Sequence, residues 1–226
     1  MNCLLLENIT DGNRENLKLK NGADVNAIDN DGITALMWAS ARGYTDVVRF
    51  LLENGANVNV KANDGLTALI WASDNGCVEV VRLLLENGAN VNAKKDDGQT
   101  VLMVVCDCDE EYINHFINLR GILQVRIMNN KINIINLLQR YGVDYNLKDN
   151  ENNTAFDLAN QCNDTWTIND DIVKILKQNI ITQNILKLKK RQKDQTKLGW
   201  LLRGKKIKNR GGILPYELEY YIRGFI

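Results

Sequence analysis

The sequence predicts an all-α solenoid of helix-turn-helix units with short hairpin loops, and three observations carry that expectation. A stretch opening DGITALMWASARG at Asp31 returns almost word for word at Asp64 as DGLTALIWASDNG. Single positions recur every 33 residues: Gly32, Gly65 and Gly98; Thr34, Thr67 and Thr100; Leu36, Leu69 and Leu102; Gly22, Gly55 and Gly88. Within each copy the apolar residues follow helical spacing, so each unit has a face that only a neighbouring unit would cover. Similarity at a fixed period of this length marks stacked supersecondary units.

Asn30-Asp31-Gly32 and Asn63-Asp64-Gly65 are turn sequences tolerant of positive φ. Thr34 and Thr67 are suited to cap a short first helix, with Leu36 and Ala39 (Leu69 and Ala72 in the next copy) facing inward. Small residues such as Ala39 and Ser40 let neighbouring helices approach closely. Gly43 and Gly76 end that helix and reverse the chain. Val47, Val48, Leu51 and Leu52 give a second helix its apolar stripe, repeated by Val80, Val81, Leu84 and Leu85. Gly55 and Gly88 suit the left-handed position that closes it.

The copies are not all whole. Leu17 to Asn30 supplies a second helix and a hairpin, so 1–30 reads as a partial capping unit before full units at 31–63 and 64–96. The next unit, 97–150, opens with DGQTVLMVVC, but its second helix, INIINLLQRYG from Ile132 to Gly142, comes late: Gly142 stands 54 residues after Gly88. About 21 extra residues lie between Cys108 and Asn130. They are partly apolar, compatible with a helix of their own. A fourth unit, 151–186, places Thr154, Phe156 and Ala159 where the third has Thr100, Leu102 and Val105, with a second helix expected over Ile172–Ile180. Residues 187–226 form a basic segment and a short terminal helix.

The motifs "DGxTALxxAxxxG" and "VVxxLLxxGAxVN" at this period resemble the ankyrin repeat over roughly residues 17–180. Ala35 and Ala68 stand where that family usually has Pro, and Met37 and Ile70 replace its usual His, which should weaken the junction of hairpin and helix. The resemblance implies an ankyrin-repeat solenoid that binds a partner protein on the concave surface of hairpin tips and first helices. Carried onto this chain, that surface would include Trp38, Arg42, Trp71, Asp74 and Asn75, with Ile28, Lys61, Lys94 and Lys95 as weaker candidates at the hairpin tips. The two tryptophans occupy equivalent slots. They would form either an interface anchor or a cover for the neighbouring repeat.

Composition narrows the chemistry. The formal net charge is zero, yet residues 1–186 hold 25 Asp/Glu against 16 Lys/Arg, while 187–210 hold eleven Lys/Arg and one acid, Asp194. Asn appears 31 times, many of them at fixed repeat positions, which argues for turns. Five cysteines, an opening MNCLLLENITDG without the features of a signal peptide, and the lack of a long apolar run point to free thiols in a reducing, cytoplasmic setting. His115 is the single histidine, and Cys106 and Cys108 are too closely spaced for a zinc knuckle. The acidic run Asp107, Asp109, Glu110 and Glu111 lacks the pattern of a calcium loop. No phosphate-binding loop or nucleophile elbow is present. The expectation is a non-enzymatic monomer without cofactor, metal or small-molecule substrate.

Beyond the repeats, the basic run from Lys187 to Arg210 suits nucleic acid or an anionic membrane, a solubilising connector, or a helix docked on an acidic surface. Leu214, Pro215, Glu217, Leu218 and Ile222 then resemble the opening "LPxE(I/L)xxxI" of an F-box. Proline and an acid suit the start of a helix whose leucines and isoleucine share one face. Ankyrin arrays that end this way are characteristic of poxvirus host-range proteins and some intracellular bacterial effectors, acting in the host cytoplasm. The likeness implies contact with an Skp-type adaptor of a cullin ubiquitin ligase. Otherwise the segment is a helical cap.

Overall fold

The computed structural model describes residues 23–107, 122–161 and 169–208, the backbone alone over 122–128, 169–170 and 195–208. The chain divides into two compact units, 1–179 and 180–226. Eight helices are present among the described residues: α1 (Ala35–Ala41), α2 (Thr45–Glu53), α3 (Ala68–Asp74), α4 (Val78–Glu86), α5 (Val101–Cys106), α6 (Ile122–Arg140), α7 (Ala155–Gln161) and α8 (Asn169–Lys208). The same residues form no strand, only isolated bridges pairing Ile28 with Thr34 and Lys94 with Thr100.

Each short first helix starts as its sequence dictates. The hydroxyls of Thr34, Thr67 and Thr100 accept hydrogen bonds from the backbone N–H of Met37, Ile70 and Met103 at 3.2, 3.3 and 3.3 Å, satisfying a donor the helix cannot. Thr154 does the same for Asp157 (3.3 Å) and donates its own hydroxyl to that carboxylate at 2.6 Å. Gly43 and Gly76, with φ of +69° and +67°, then reverse the chain as expected. Met37 and Ile70 are each only 1% exposed, so the residues standing in place of histidine have joined the core.

The helices pack in two rows. α1, α3, α5 and α7 contact one another in sequence, as do α2, α4 and α6, and α1–α2, α3–α4 and α5–α6 pair within units. Leu36, Leu51, Leu69, Leu84, Leu102, Ile134, Ile135 and Leu138 lie fully buried between the rows. Each such side chain contributes about 1.5–3 kcal/mol of transfer free energy, the main force joining units that lack cores of their own.

The hairpins are linked across units by polar bonds. Asn63 donates its backbone N–H to Asp31 O (2.9 Å), Asp96 to Asp64 O (3.1 Å) and Asn150 to Asp97 O (3.0 Å). This approach is so close that a Cβ on Gly65 would sit 2.6 Å from Asp96 Oδ1 and 2.8 Å from its backbone nitrogen, at a φ of +80° that already disfavours any side chain. The repeated asparagines do more than make turns. Asn59 donates Nδ2 to Gly88 O (3.0 Å) and accepts from the Asn90 N–H (2.8 Å). Asn26 makes the equivalent pair with Gly55 O (3.2 Å) and Asn57 N (2.7 Å), and Asn92 accepts from Asp144 N–H at 2.9 Å. Each closes one unit onto the next.

Two expected elements differ in length. The second helix of the third unit begins at Ile122 rather than Ile132, so the end of the inserted stretch is an extension of that helix. Asn130, 54 residues after Gly76, stands where the preceding units turn on glycine, and instead lies within α6 and donates Nδ2 to Gly76 O at 3.1 Å. The side-chain amide meets the glycine carbonyl of the previous unit while the backbone runs on as helix. The last helix spans Asn169–Lys208, forty residues, rather than Ile172–Ile180. No Gly or Pro interrupts the sequence between Asn169 and Leu198, so nothing stops the helix at the end of the repeat pattern. Its start packs into the first unit through buried Ile172 and Leu176, and Asn179 Nδ2 reaches the Tyr145 hydroxyl at 3.1 Å.

Candidate functional site

Trp38 lies on α1, and Arg42 is the residue that caps its C-terminal end. Trp71 and Asp74 lie on α3, with Asn75 in the equivalent capping position. α1 packs directly on α3, so the equivalent positions of the two units are neighbours in the first-helix row. Both tryptophans are half-buried while Arg42, Asp74 and Asn75 are exposed. Each ring therefore helps pack the array and presents the rest of itself outward.

The surroundings of the two rings differ. The Arg42 guanidinium lies over Trp38, 4.0 Å from the ring centroid, close enough for a cation–π contact of about 0.5–1 kcal/mol at an exposed site. Four residues after Trp71 stands Asn75, whose Nδ2 donates to the Trp71 carbonyl at 2.9 Å. Its amide turns back onto the helix end. Among the described residues no cation covers the Trp71 ring. The spacing i, i+4 places these pairs on one helix face, so the sequence carried a signal for the Arg42–Trp38 contact.

Sequence reasoning missed Lys131. It occupies the slot of Tyr44 and Cys77 in the preceding units and donates Nζ to Asp107 O at 2.9 Å. Burial lowers its pKa, opposed by the nearby Cys106, Asp74 and Asp107. Asp107 also accepts from Gln99 Nε2 at 3.2 Å. Beside them the Cys106 thiol is fully enclosed, and that burial pushes its pKa up to about 12, so it is a packing group rather than a nucleophile. The signal for Lys131 was the slot comparison, which only works once 54 replaces 33 as the offset.

The hairpin-tip candidates are largely engaged within the protein. Lys61 Nζ donates to Lys94 O (3.0 Å), Lys94 Nζ to Lys148 O (2.6 Å), and Lys95 pairs with Asp97 at 2.9 Å. Burial raises the Asp97 carboxyl, but the Lys95 ammonium and the Gln99 N–H outweigh it and hold the group below its ordinary range. Ile28 stays 63% exposed. Leu214, Pro215, Glu217, Leu218 and Ile222 lie outside the described residues, as do His115, Cys108, Asp109, Glu110 and Glu111. Among the described residues no three His, Cys, Asp or Glu side chains gather to hold a metal ion, and no helix is long and apolar enough to cross a membrane.

Comparison with known families finds ankyrin repeats, in three copies, over residues 9–95, a span that contains α1 to α4 and all five residues of this surface. No curated protein matches the chain. The helix pairs continue past the matched span, through α5–α6 and α7.

Proposed function

We propose that this ankyrin-repeat protein binds its partner through the first-helix surface centred on Trp38 and Trp71, with Arg42, Asp74 and Asn75 selecting what binds. Ankyrin repeats are protein–protein interaction modules, and the chain carries them. The observation behind the finer reading is the change of charge and hydrogen-bonding character at the ends of two first helices that share caps, glycines and tryptophans: Ala41 and Arg42 in one unit are Asp74 and Asn75 in the next, around two half-buried tryptophans. Half-buried aromatics held by a rigid array lose little entropy on binding and make good anchors. The Trp71 ring, which no cation covers among the described residues, suits a cationic side chain of the partner, placed as Arg42 is over Trp38.

In this reading the protein is a monomeric, non-enzymatic, cytoplasmic binding module without cofactor. Its units divide at residues 30, 63, 96, 150 and 186. A second reading rests on sequence: the Leu214–Ile222 motif would recruit an Skp-type adaptor and make the array the substrate-recruiting arm of a cullin ubiquitin ligase. Affinity capture from eukaryotic lysate tests both, using the full chain, the Trp38→Ala/Trp71→Ala double variant, and a chain ending after Gly212. The proposal expects partners that the double variant loses while its circular dichroism remains native. Retention of every partner by a folded double variant contradicts it. Adaptor and cullin appearing only with the full chain would establish the second reading.

A further inference from the structure

Three helices of the array end on the same dipeptide. Glu53-Asn54-Gly55 closes α2, Asp74-Asn75-Gly76 closes α3 and Glu86-Asn87-Gly88 closes α4. A further pair, Asn21-Gly22, lies outside the described residues. Asn-Gly is chemically the least durable pair in a chain, because glycine has no side chain to keep its nitrogen away from the asparagine amide. The glycine nitrogen gives its proton to solvent, bonds to the asparagine Cγ and expels Nδ2 as ammonia. Water then opens the resulting succinimide at either carbonyl, leaving aspartate or isoaspartate.

The fold withholds each participant in that step. With ψ of 15°, 5° and 17° at Asn54, Asn75 and Asn87, the glycine nitrogen lies beside the asparagine's own backbone nitrogen, turned away from Cβ and so from Cγ. The N–H groups of Gly55, Gly76 and Gly88 donate to Leu52 O, Ser73 O and Leu85 O at 3.1, 3.2 and 3.1 Å. The leaving amides donate to Phe50 O, Trp71 O and Leu83 O at 2.8, 2.9 and 2.8 Å. These locks lie within one unit. The last comes from a neighbour: Gly55 O accepts from Asn26 Nδ2 (3.2 Å), Gly76 O from Asn130 Nδ2 (3.1 Å) and Gly88 O from Asn59 Nδ2 (3.0 Å). Turning the asparagine ψ into the reactive arrangement displaces the glycine and breaks that bond.

We infer that Asn54, Asn75 and Asn87 are deamidation sites gated by the stacking of units, each reacting only while the neighbour that holds its glycine carbonyl is released. Because each unit touches only its neighbours, such an opening is local to one joint. The product does not restore the joint. A carboxylate cannot donate to the helix carbonyl that the amide capped, and it meets the negative end of the helix dipole. Conversion therefore records irreversibly that a joint has opened, and weakens its closing. This chemistry is independent of what the first-helix surface binds.

The test incubates the full chain in mildly alkaline buffer, with and without urea, followed by peptide mapping that separates asparagine, aspartate and isoaspartate by mass and retention. The three sites share an acid before the pair, so in urea they convert at similar rates, while the folded chain converts at least about 100-fold more slowly at all three. Asn26→Ala, Asn130→Ala and Asn59→Ala each remove one gate, with circular dichroism to confirm folding. Each accelerates its own site (Asn54, Asn75 and Asn87 respectively) by about five- to thirtyfold, and the other two by less than about twofold. Equal rates with and without urea would overturn the inference, and that comparison needs no substitution. So would a folded variant that leaves its own site unchanged or accelerates all three together.

Discussion

The helix pairs α1–α2 and α3–α4 carry nearly the same sequence and the same skeleton, and their sharpest change of charge is at the end of the first helix, where Ala41 and Arg42 become Asp74 and Asn75. Both first helices start on a threonine cap, bury a leucine and a small-residue face, and turn on a positive-φ glycine. Trp38 then lies under Arg42, while Trp71 is followed by Asp74 and by an Asn75 folded onto its own helix end. The threonine caps, turn glycines and most buried leucines are shared, while Arg42 and Asn75 differ in charge and in what they bond.

Breaking the shared skeleton should have the largest effect. Gly65→Ala combines a left-handed backbone with a Cβ only 2.6 Å from Asp96 Oδ1, whereas Gly88→Ala has a φ of +82° and nothing within 4 Å. We expect the first to cost about 3 kcal/mol and the second about 1 kcal/mol, read by urea denaturation. Equal costs would mean that the hairpin contact between units is not tight.

Altering the surface around Trp71 should instead change binding more than stability, with only the ring variant giving up packing as well. Trp71→Ala is expected to weaken the captured partner about 30-fold, an anchor's share. Asn75→Arg, which gives Trp71 the cover that Trp38 already has, should weaken it by about tenfold, reflecting a lost cation–π contact. Unchanged affinity in both variants would remove Trp71 from the interface.

The staple between the copies comes next. Asn59→Ala removes two inter-unit hydrogen bonds and should cost about 1–2 kcal/mol, with Asn54→Ala, whose Nδ2 caps only its own helix, costing less. Thermal melts of the pair decide it. The third unit extends the comparison by pH. Burial raises Cys106 from 9.0 to about 12 and Tyr145 from 10.0 to about 12, so the unfolded chain gives up these protons first. Between those values the folded state binds more protons, and stability falls as pH rises above 9. Lys131, lowered below 10.5, acts in the opposite sense just under that pH. Cys106→Ala should flatten the decline between pH 9 and 10, followed by urea denaturation at each pH. The smallest effect belongs to a feature both copies share: among the described residues the buried Ser40 and Ser73 hydroxyls have no hydrogen-bond partner, so Ser73→Ala should raise stability by about 1 kcal/mol.

These contrasts also explain what the sequence disclosed. The period, the threonine caps, the turn glycines and the buried leucines were legible because each depends on a few adjacent residues and on a spacing that repeats. The roles of Asn26, Asn59 and Asn92 were not, since a side-chain amide bonding a carbonyl 29 residues away looks like any turn asparagine until units are stacked. Lys131 and the early start of α6 were hidden by the change of offset from 33 to 54. The length of α8 was not legible from the repeat, which ends near Ile180, but from the stretch after it, which holds no Gly or Pro as far as Leu198. On the candidate surface, the tryptophans were found by their equivalence, while the fold-back of Asn75 needed coordinates.

The most direct measurement is hydrogen exchange of the protein with and without its captured partner. The account predicts new protection over 35–42 and 68–75, the two first helices and their caps, with 45–53 and 78–86 unchanged. Protection confined to α2 and α4, with α1 and α3 exchanging as in the free protein, would contradict it.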